Sequence, residues 1–319
     1  MLLSVAVLLA WQPDPALLGK LYEEALERKR REYGAADIRT APAARDLGLF
    51  LSKHGAPAAA QKVLTELVRL DETAFGTGAT QTLADVAALA NVSPARQAEP
   101  LWRRAAESSD AKMAARSFAA LGQLHEASGD QSGAAAFYRQ ALAKQESALE
   151  QTATLPEKAE LAILISGVAQ LLGQLVDPAE GIGVLRRALT IEQSILGPRH
   201  PETATLEANL AGVLLDANAV DESVRLISEA IPILQETLGE DHPRIAISAA
   251  ILGSGLRAKG DAAGAERNYR RALAVDERAF GARHAQTLND VRTLAEFLRE
   301  RGKLQEAAAL EKRLANAAK

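Results

Sequence analysis

Apolar residues recur along this chain at helical spacing. In one stretch Leu206, Leu210 and Leu214 stand at i, i+4 and i+8, which places them on one face of a helix. A second helical pattern follows after a short polar turn, and its Ile227 and Ala230 face the first helix. The pattern therefore predicts pairs of antiparallel helices and an all-α fold.

The helical pairs recur with a fixed period in the second half of the chain. A Leu-Gly or Phe-Gly dipeptide is followed, at intervals of 42 residues, by His200, His242 and His284. The same interval separates the apolar residues Val168, Leu210, Leu252 and Leu294. Because several sets of equivalent residues recur at the same interval, they indicate repeated two-helix units. Each glycine is expected to end a helix in the left-handed conformation, and Pro201 and Pro243 are expected to begin the next one.

These units resemble the tetratricopeptide repeat of the 42-residue kind found in kinesin light chains and in many bacterial proteins. The family pattern has a large and a small residue on the first helix and a small–large–small triplet on the second. One unit matches it fully with Leu252, Gly253, Ala265, Tyr269 and Ala272. The resemblance covers about residues 15–318. It implies a right-handed superhelical α-solenoid whose concave wall is formed by the first helices.

The expected organisation is an N-terminal segment, 1–12, followed by a single solenoid, 13–319. The solenoid is expected to contain a leading helix at 15–33 and about seven helix pairs, at 38–75, 78–108, 109–149, 155–196, 201–238, 243–280 and 284–318. Asp85 stands where the second pair should bury an apolar residue, so we expect that pair to be irregular. The connector Gln151–Pro156 is longer than the others and marks a place for a hinge.

The N-terminal run Met1–Ala10 is apolar but shorter than the ~20 residues that cross a bilayer, so no stable membrane span is expected. Its length favours a signal peptide cleaved after Ala10, and hence export to the periplasm or the outside. No Lys or Arg precedes the run, and Leu8 occupies a cleavage position that prefers a small residue. The alternative is a cap helix on a cytoplasmic protein.

Composition narrows the chemistry that the chain can perform. It contains no Cys, which excludes thiolate catalysis and Cys-based zinc sites. A net charge of −4 and an aromatic content of 4% disfavour a nucleic-acid partner. The three repeated histidines stand in successive units about 8–10 Å apart, too far to share one metal ion. We therefore expect no enzyme activity, no cofactor and no metal site. His125 is expected to be a packed, hydrogen-bonded core histidine.

The register of the family implies which side chains line the concave groove. The third, fourth and fifth pairs contribute Arg116, Gln123, Gln170, Gln174, Thr205 and Asn209. The sixth and seventh pairs contribute Ile247, Ile251, Arg257, Asn289, Arg292 and Arg299. Grooves of this kind receive extended or helical peptides, so a peptide or protein segment is the expected partner.

Two questions stay open at this level. Arg257, Arg292 and Arg299 either bind an acidic segment of the partner or are neutralised by Glu296 and Glu300 in a solvated face. The chain as a whole is expected to be a non-catalytic protein–protein interaction scaffold. The alternative is a regulatory module that senses a peptide and changes its curvature on binding.

Overall fold

The computed structural model describes residues 15–317, and these form fifteen α-helices and one short 3-10 helix, Ile38–Thr40. In chain order the α-helices are α1 Pro15–Tyr33, α2 Ala41–Lys53, α3 Pro57–Phe75, α4 Thr80–Val92, α5 Ala95–Ala105, α6 Ala111–Ala127, α7 Gln131–Gln151, α8 Leu155–Leu175, α9 Pro178–Ile195, α10 Pro201–Asp216, α11 Val220–Leu238, α12 Pro243–Ala258, α13 Ala262–Phe280, α14 Ala285–Glu300 and α15 Leu304–Ala317. Helix α1 has the bounds expected for the leading helix. The segment Met1–Ala10, with its two interpretations, lies outside the described residues.

The chain divides into two compact units, and the division falls between residues 148 and 149, beside the long connector Gln151–Pro156. Unit 1 contains α1–α6 and most of α7, and unit 2 contains the last three residues of α7 and helices α8–α15. Within unit 2 every helix packs against the next one along the chain, and the same holds for α1–α6 of unit 1. Each unit is thus an all-α stack of helix pairs, as in a helical repeat solenoid. A single continuous array over 13–319 stays a prediction.

The two helices of a pair meet where a glycine on the first helix faces a large side chain on the second. A Cβ atom at Gly122 would lie 2.5 Å from the ring of Tyr138, and one at Gly48 would lie 2.6 Å from Leu64. The Tyr138 ring is fully buried, and its hydroxyl donates a hydrogen bond of 2.8 Å to Glu126. The ring therefore has no room to move, and only glycine permits this approach.

The repeated histidines begin helices α10, α12 and α14. In each connector the Nδ1 atom accepts a hydrogen bond of 3.2 Å from the backbone N–H two residues later, at Glu202, Arg244 and Gln286. Each ring thereby satisfies one of the free N–H groups at a helix start. The interpretation of these histidines as connector residues is confirmed.

The glycines that end the second helices depart from the expected conformation. Gly239 has a positive φ of 86°, as predicted, but its ψ of 158° is extended rather than left-handed helical. Gly281 has the same geometry, with φ 84° and ψ 167°. The chain leaves the helix directly into an extended connector instead of folding back over the helix end. This region of backbone space is open essentially to glycine alone.

The second pair is shorter than the first and third pairs. Helix α4 has 13 residues and α5 has 11, and Pro100 lies inside α5. Only Ser93 and Pro94 join the two helices. Because α5 lacks about two turns relative to the 19 residues of α3, it covers less of the neighbouring helices.

Helix α8 is the one helix among residues 15–317 that is long and apolar enough to cross a membrane by length and composition. It lies inside unit 2 and packs against α9 and α10. Leu161, Ile165 and Leu172 on this helix are almost fully buried. Its apolar character is accounted for by the repeat core that it helps to form.

We expect Gly122→Ala to destabilise unit 1 by about 1–3 kcal/mol, because the added methyl group overlaps the Tyr138 ring. Gly167→Ala is the matched control, since a Cβ atom there meets nothing within 4 Å and the helix gains about 1 kcal/mol of propensity. Urea denaturation of both variants checks the prediction. Equal effects of the two substitutions would contradict it.

We expect His242→Ala to cost about 1 kcal/mol, because the Arg244 N–H loses its acceptor at the start of α12. His242→Asn should retain most of this stability, since an Asn side chain caps a helix by the same bond. Amide hydrogen exchange in the first turn of α12 is the measurement. An asparagine variant as weak as the alanine variant would show that the ring matters for another reason.

Candidate functional site

The first helices of successive pairs lie side by side in each unit. In unit 2, α10 contacts both α8 and α12, and in unit 1, α2 contacts α4. The first helices therefore form a common layer, and their outer face is the surface on which the predicted groove residues should lie. We call this layer the first-helix face of each unit.

Unit 1 has an alanine-lined pocket of about 240 Å³ between α4, α5 and α6. Ala90, Ala98 and Trp102 are buried in its lining, and no charged residue lines it. Its polar residues include Asn91 and Gln123, both exposed and both without a hydrogen bond to another described residue. Gln123 is one of the predicted groove residues. The pocket lies beside the short second pair.

The predicted groove residues differ in their access to solvent. Those on the surface are Arg116, Gln123, Gln174, Ile247, Arg257, Asn289, Arg292 and Arg299. Gln170, Asn209 and Ile251 are half-buried. Thr205 is only 7% exposed, since α8 and α12 flank α10, and its place in the groove stays a prediction.

Two of the three arginines predicted to attract an acidic partner are already paired. Arg257 donates to Glu300 at 2.5 Å, and Arg299 pairs with Glu311 on α15. Arg292 makes no ion pair with residues 15–317. Glu300 is one of the two neutralising residues foreseen, whereas Glu311 takes the place expected for Glu296. The solvated-face alternative thus describes two of the three side chains.

Unit 1 contains a buried cluster that the sequence pattern did not predict. The guanidinium group of Arg45 on α2 donates two hydrogen bonds to Asp85 on α4, at 2.6 and 2.8 Å. The same group donates to Asp71 on α3 at 3.2 Å. Asp71 and Asp85 are almost fully buried. Asp85 thus fills an apolar position of the repeat without disrupting it, because Arg45 supplies the compensating charge.

The two carboxyl groups of this cluster titrate differently. Burial and the neighbouring Asp85 raise the pKa of Asp71 to about 7. Burial also acts on Asp85, but the hydrogen bonds from Arg45 and Asp71 outweigh it and hold the pKa of Asp85 below its ordinary value. Near neutral pH the pair therefore shares one proton, and Arg45 balances the one remaining negative charge.

Unit 2 contains a second buried pair, Asp276 on α13 and Asp290 on α14. Burial raises the pKa of Asp276, and burial together with Asp276 raises the pKa of Asp290 from its ordinary value of 3.8 to about 7. Neither residue makes an ion pair with Lys or Arg in the described part of the chain. Both carboxylate oxygens of Asp276 are buried without a hydrogen-bond donor.

One cavity beside the leading helix is open and charged. It measures about 630 Å³, and its lining includes Glu27, Arg30 and Glu66. Arg30 bonds Glu27 at 2.8 Å and also pairs with Glu66. Arg30 is thus paired with both carboxylates, whereas no charged residue lines the pocket in unit 1.

His125 is a packed histidine, as predicted. Its Nδ1 atom lies 2.7 Å from Asp130, and its ring lies 4.9 Å from that of Phe137. The backbone N–H of Gly133, followed by His125, lowers the pKa of Asp130 to about 2. His125 thus fixes the turn between α6 and α7, and nothing in its surroundings indicates catalysis.

Comparison with known proteins agrees with the repeat pattern. The Tetratricopeptide repeat family model matches residues 205–276. BtubC (BKLC) from P. vanneervenii is 20% identical, with a TM-score of 0.57 over 70% of this chain and 88% of its own. A kinesin light chain-type protein from Podosopora anserina, with nearly identical TPR-like repeats, is 22% identical, with a TM-score of 0.50 over 64% of this chain and 94% of its own.

A third solved structure is a Rap protein complexed with Competence and Sporulation Factor. It is 16% identical, with a TM-score of 0.51 over 88% of this chain and 77% of its own. No curated protein matches the sequence. The resemblance to tetratricopeptide repeats is confirmed, and the solved structures establish the fold.

An Asp→Asn substitution should change the stability in opposite directions at the two aspartate pairs. Asp85→Asn should destabilise unit 1 by about 3 kcal/mol, because it leaves a buried Arg45 without its carboxylate. Asp290→Asn should stabilise unit 2 by about 1 kcal/mol at pH 8, because it removes one of two unpaired buried carboxyls.

The pH dependence of the stability of unit 2 follows from the direction in which the pKa of Asp290 is shifted. A folded pKa above the ordinary value means that the folded state holds its proton longer, so unit 2 loses stability as pH rises from about 4 to about 7. The advantage of Asp290→Asn should therefore vanish by pH 5. Amide hydrogen exchange of α13 and α14 at pH 5 and at pH 8 measures this effect. If Asp290→Asn destabilised unit 2 at both pH values, the raised pKa of Asp290 would be contradicted.

Proposed function

We propose that this chain of tetratricopeptide repeats is a non-catalytic interaction scaffold that holds a peptide segment of its partner on the first-helix face. Repeats of this family build extended surfaces from stacked helix pairs, and such surfaces serve recognition rather than reaction. The likeness to solved tetratricopeptide-repeat structures supports the coarser statement, a protein-interaction scaffold. The peptide and its place on the chain are the finer part of the proposal.

The observation that carries the proposal is the neutral pocket of about 240 Å³ in unit 1. Its alanine and Trp102 lining accepts an aliphatic side chain without burying a charge. The amide groups of Asn91 and Gln123 are free to donate to and accept from a peptide backbone. A small apolar cavity with convergent polar groups is the usual form of a side-chain binding pocket.

The first-helix face of unit 2 offers a second surface for peptide binding. Ile247 is 49% exposed, and Ile251 covers Gly212 of the neighbouring helix. Asn289 and Arg292 are exposed on the next first helix. Exposed aliphatic side chains flanked by polar ones are typical of a surface that takes part in recognition.

A library of random dodecapeptides displayed on phage tests the proposal. We expect selected peptides to bind at least about tenfold more weakly to Ala120→Met, because the longer side chain fills the pocket. Ala136→Met is the matched control, since Ala136 is exposed on the second helix α7. Fluorescence anisotropy of labelled peptides gives the affinities.

Two results would contradict the proposal. One is that no peptide is enriched by the full-length chain. The other is that enriched peptides bind both methionine variants and Ile247→Lys as tightly as the unchanged protein, because neither first-helix face would then contribute.

A further inference from the structure

An offset of 205 residues aligns the sequence of the first helix pair with that of the sixth pair. Helix α3, Pro57–Phe75, corresponds to α13, Ala262–Phe280, at both ends. The connectors after these helices correspond as well. Thr82 donates its hydroxyl proton to the carbonyl of Gly76 at 2.9 Å, and Thr287 donates to Gly281 at the same distance.

The two aspartate pairs occupy the same register. Adding 205 to Asp71 and Asp85 gives Asp276 and Asp290. The same offset takes Arg45 to position 250, which is alanine. Unit 2 therefore keeps both carboxyl groups of the cluster and lacks the guanidinium group that neutralises them in unit 1.

The unit 2 pair is left with an unbalanced charge. Asp276 is fully buried and Asp290 is 5% exposed. Even when the two groups share one proton, one negative charge remains in a site that water barely reaches. His284, the residue before α14, is the one basic side chain among the described residues that acts on Asp276, and its Nδ1 atom accepts a hydrogen bond at the helix start.

Position 250 lies on α12, one of the first helices of unit 2. In unit 1 the Arg45 side chain is 27% exposed, so it reaches its two buried partners from the surface. Ala250 is half-buried on α12, between the predicted groove residues Ile247 and Ile251. Where unit 1 carries the long Arg45 side chain, unit 2 carries only the methyl group of Ala250.

The nearby arginines of unit 2 do not supply the missing charge. Arg257 is paired with Glu300, and Arg299 is paired with Glu311. Arg292 lies one repeat beyond Ala250 and forms no ion pair with Asp276 or Asp290 within residues 15–317. Protonation of both carboxyl groups or a guanidinium group from outside the unit would remove the remaining charge.

We propose that the Asp276–Asp290 pair is a specificity pocket for an arginine side chain of the bound peptide, which enters from the first-helix face over Ala250. This inference rests on the proposed function and names the chemistry of its ligand. The guanidinium group takes the place that Arg45 holds in unit 1, where it bonds Asp85 at 2.6 and 2.8 Å and Asp71 at 3.2 Å. A planar fork of donors suits two adjacent carboxyl groups better than the point charge of lysine does.

The protein alone provides the first test. Ala250→Arg should supply the missing guanidinium from within and lower the midpoint at which the Asp290 carboxyl titrates by at least about one pH unit. Ala250→Met is the control, because it adds similar length without charge. Carbon-13 NMR of the aspartate carboxyls follows the titration. Equal midpoints in the two variants would overturn the proposal.

The second test uses two blocked tripeptides, acetyl-Gly-Arg-Gly-amide and its citrulline analogue, which is nearly isosteric and uncharged. We expect the arginine peptide to shift the carboxyl resonances of Asp276 and Asp290, and the citrulline peptide to bind at least about tenfold more weakly. Ala250→Arg should abolish the shift, because its own side chain occupies the site. Arg292→Gln, which removes the nearest unpaired cation of the face, should leave the preference for arginine intact.

The outcomes separate this inference from the proposed function. If phage-selected peptides bind the first-helix face while the arginine tripeptide shifts neither carboxyl, the arginine pocket is wrong and the scaffold proposal stands. If no peptide binds but Ala250→Arg lowers the titration midpoint, the site accepts a guanidinium group and the scaffold proposal fails. A carboxyl shift that the citrulline peptide reproduces would also overturn the arginine pocket.

Discussion

The close approach of two helices within the first, third and sixth pairs is the constraint on which the rest of this structure depends. Gly48, Gly122 and Gly253 each face a large side chain of the partner helix at a distance that leaves no room for a methyl group. Because this contact fixes the two helices of a pair against each other, it also fixes which residues point toward the first-helix face. The set of residues exposed on the first-helix face is therefore determined by the packing of the core.

Much of the fold could be predicted from the sequence, because its information is local and repeated. The period of 42 residues locates the helices and connectors, and the family pattern identifies the small and large core residues. The exposure of Gln123, Ile247 and Arg257 on the expected face follows from the same register. The burial of Thr205 could not be predicted, because it depends on how closely α8 and α12 flank α10, and a repeat pattern does not contain that distance.

The aspartate pairs could not be predicted from one position at a time. Asp85 looks like a defect in a single unit, since an apolar residue belongs there. The compensating Arg45 lies 40 residues earlier, and Asp71 lies 14 residues before Asp85. A signal did exist, because the same spacing of two aspartates returns at Asp276 and Asp290 with the same offset as the surrounding helices. Comparing whole units would have found it.

The histidine connectors carry a consequence for the chemistry of the rings themselves. An imidazole that accepts a hydrogen bond at Nδ1 bears its single proton at Nε2. His200, His242 and His284 are thus held in the same tautomer, although each stands in a different repeat. The choice is made by a backbone amide and not by a neighbouring side chain, so it survives any change in the surface residues around it. The three repeats therefore share the position of the imidazole proton as well as the arrangement of their helices.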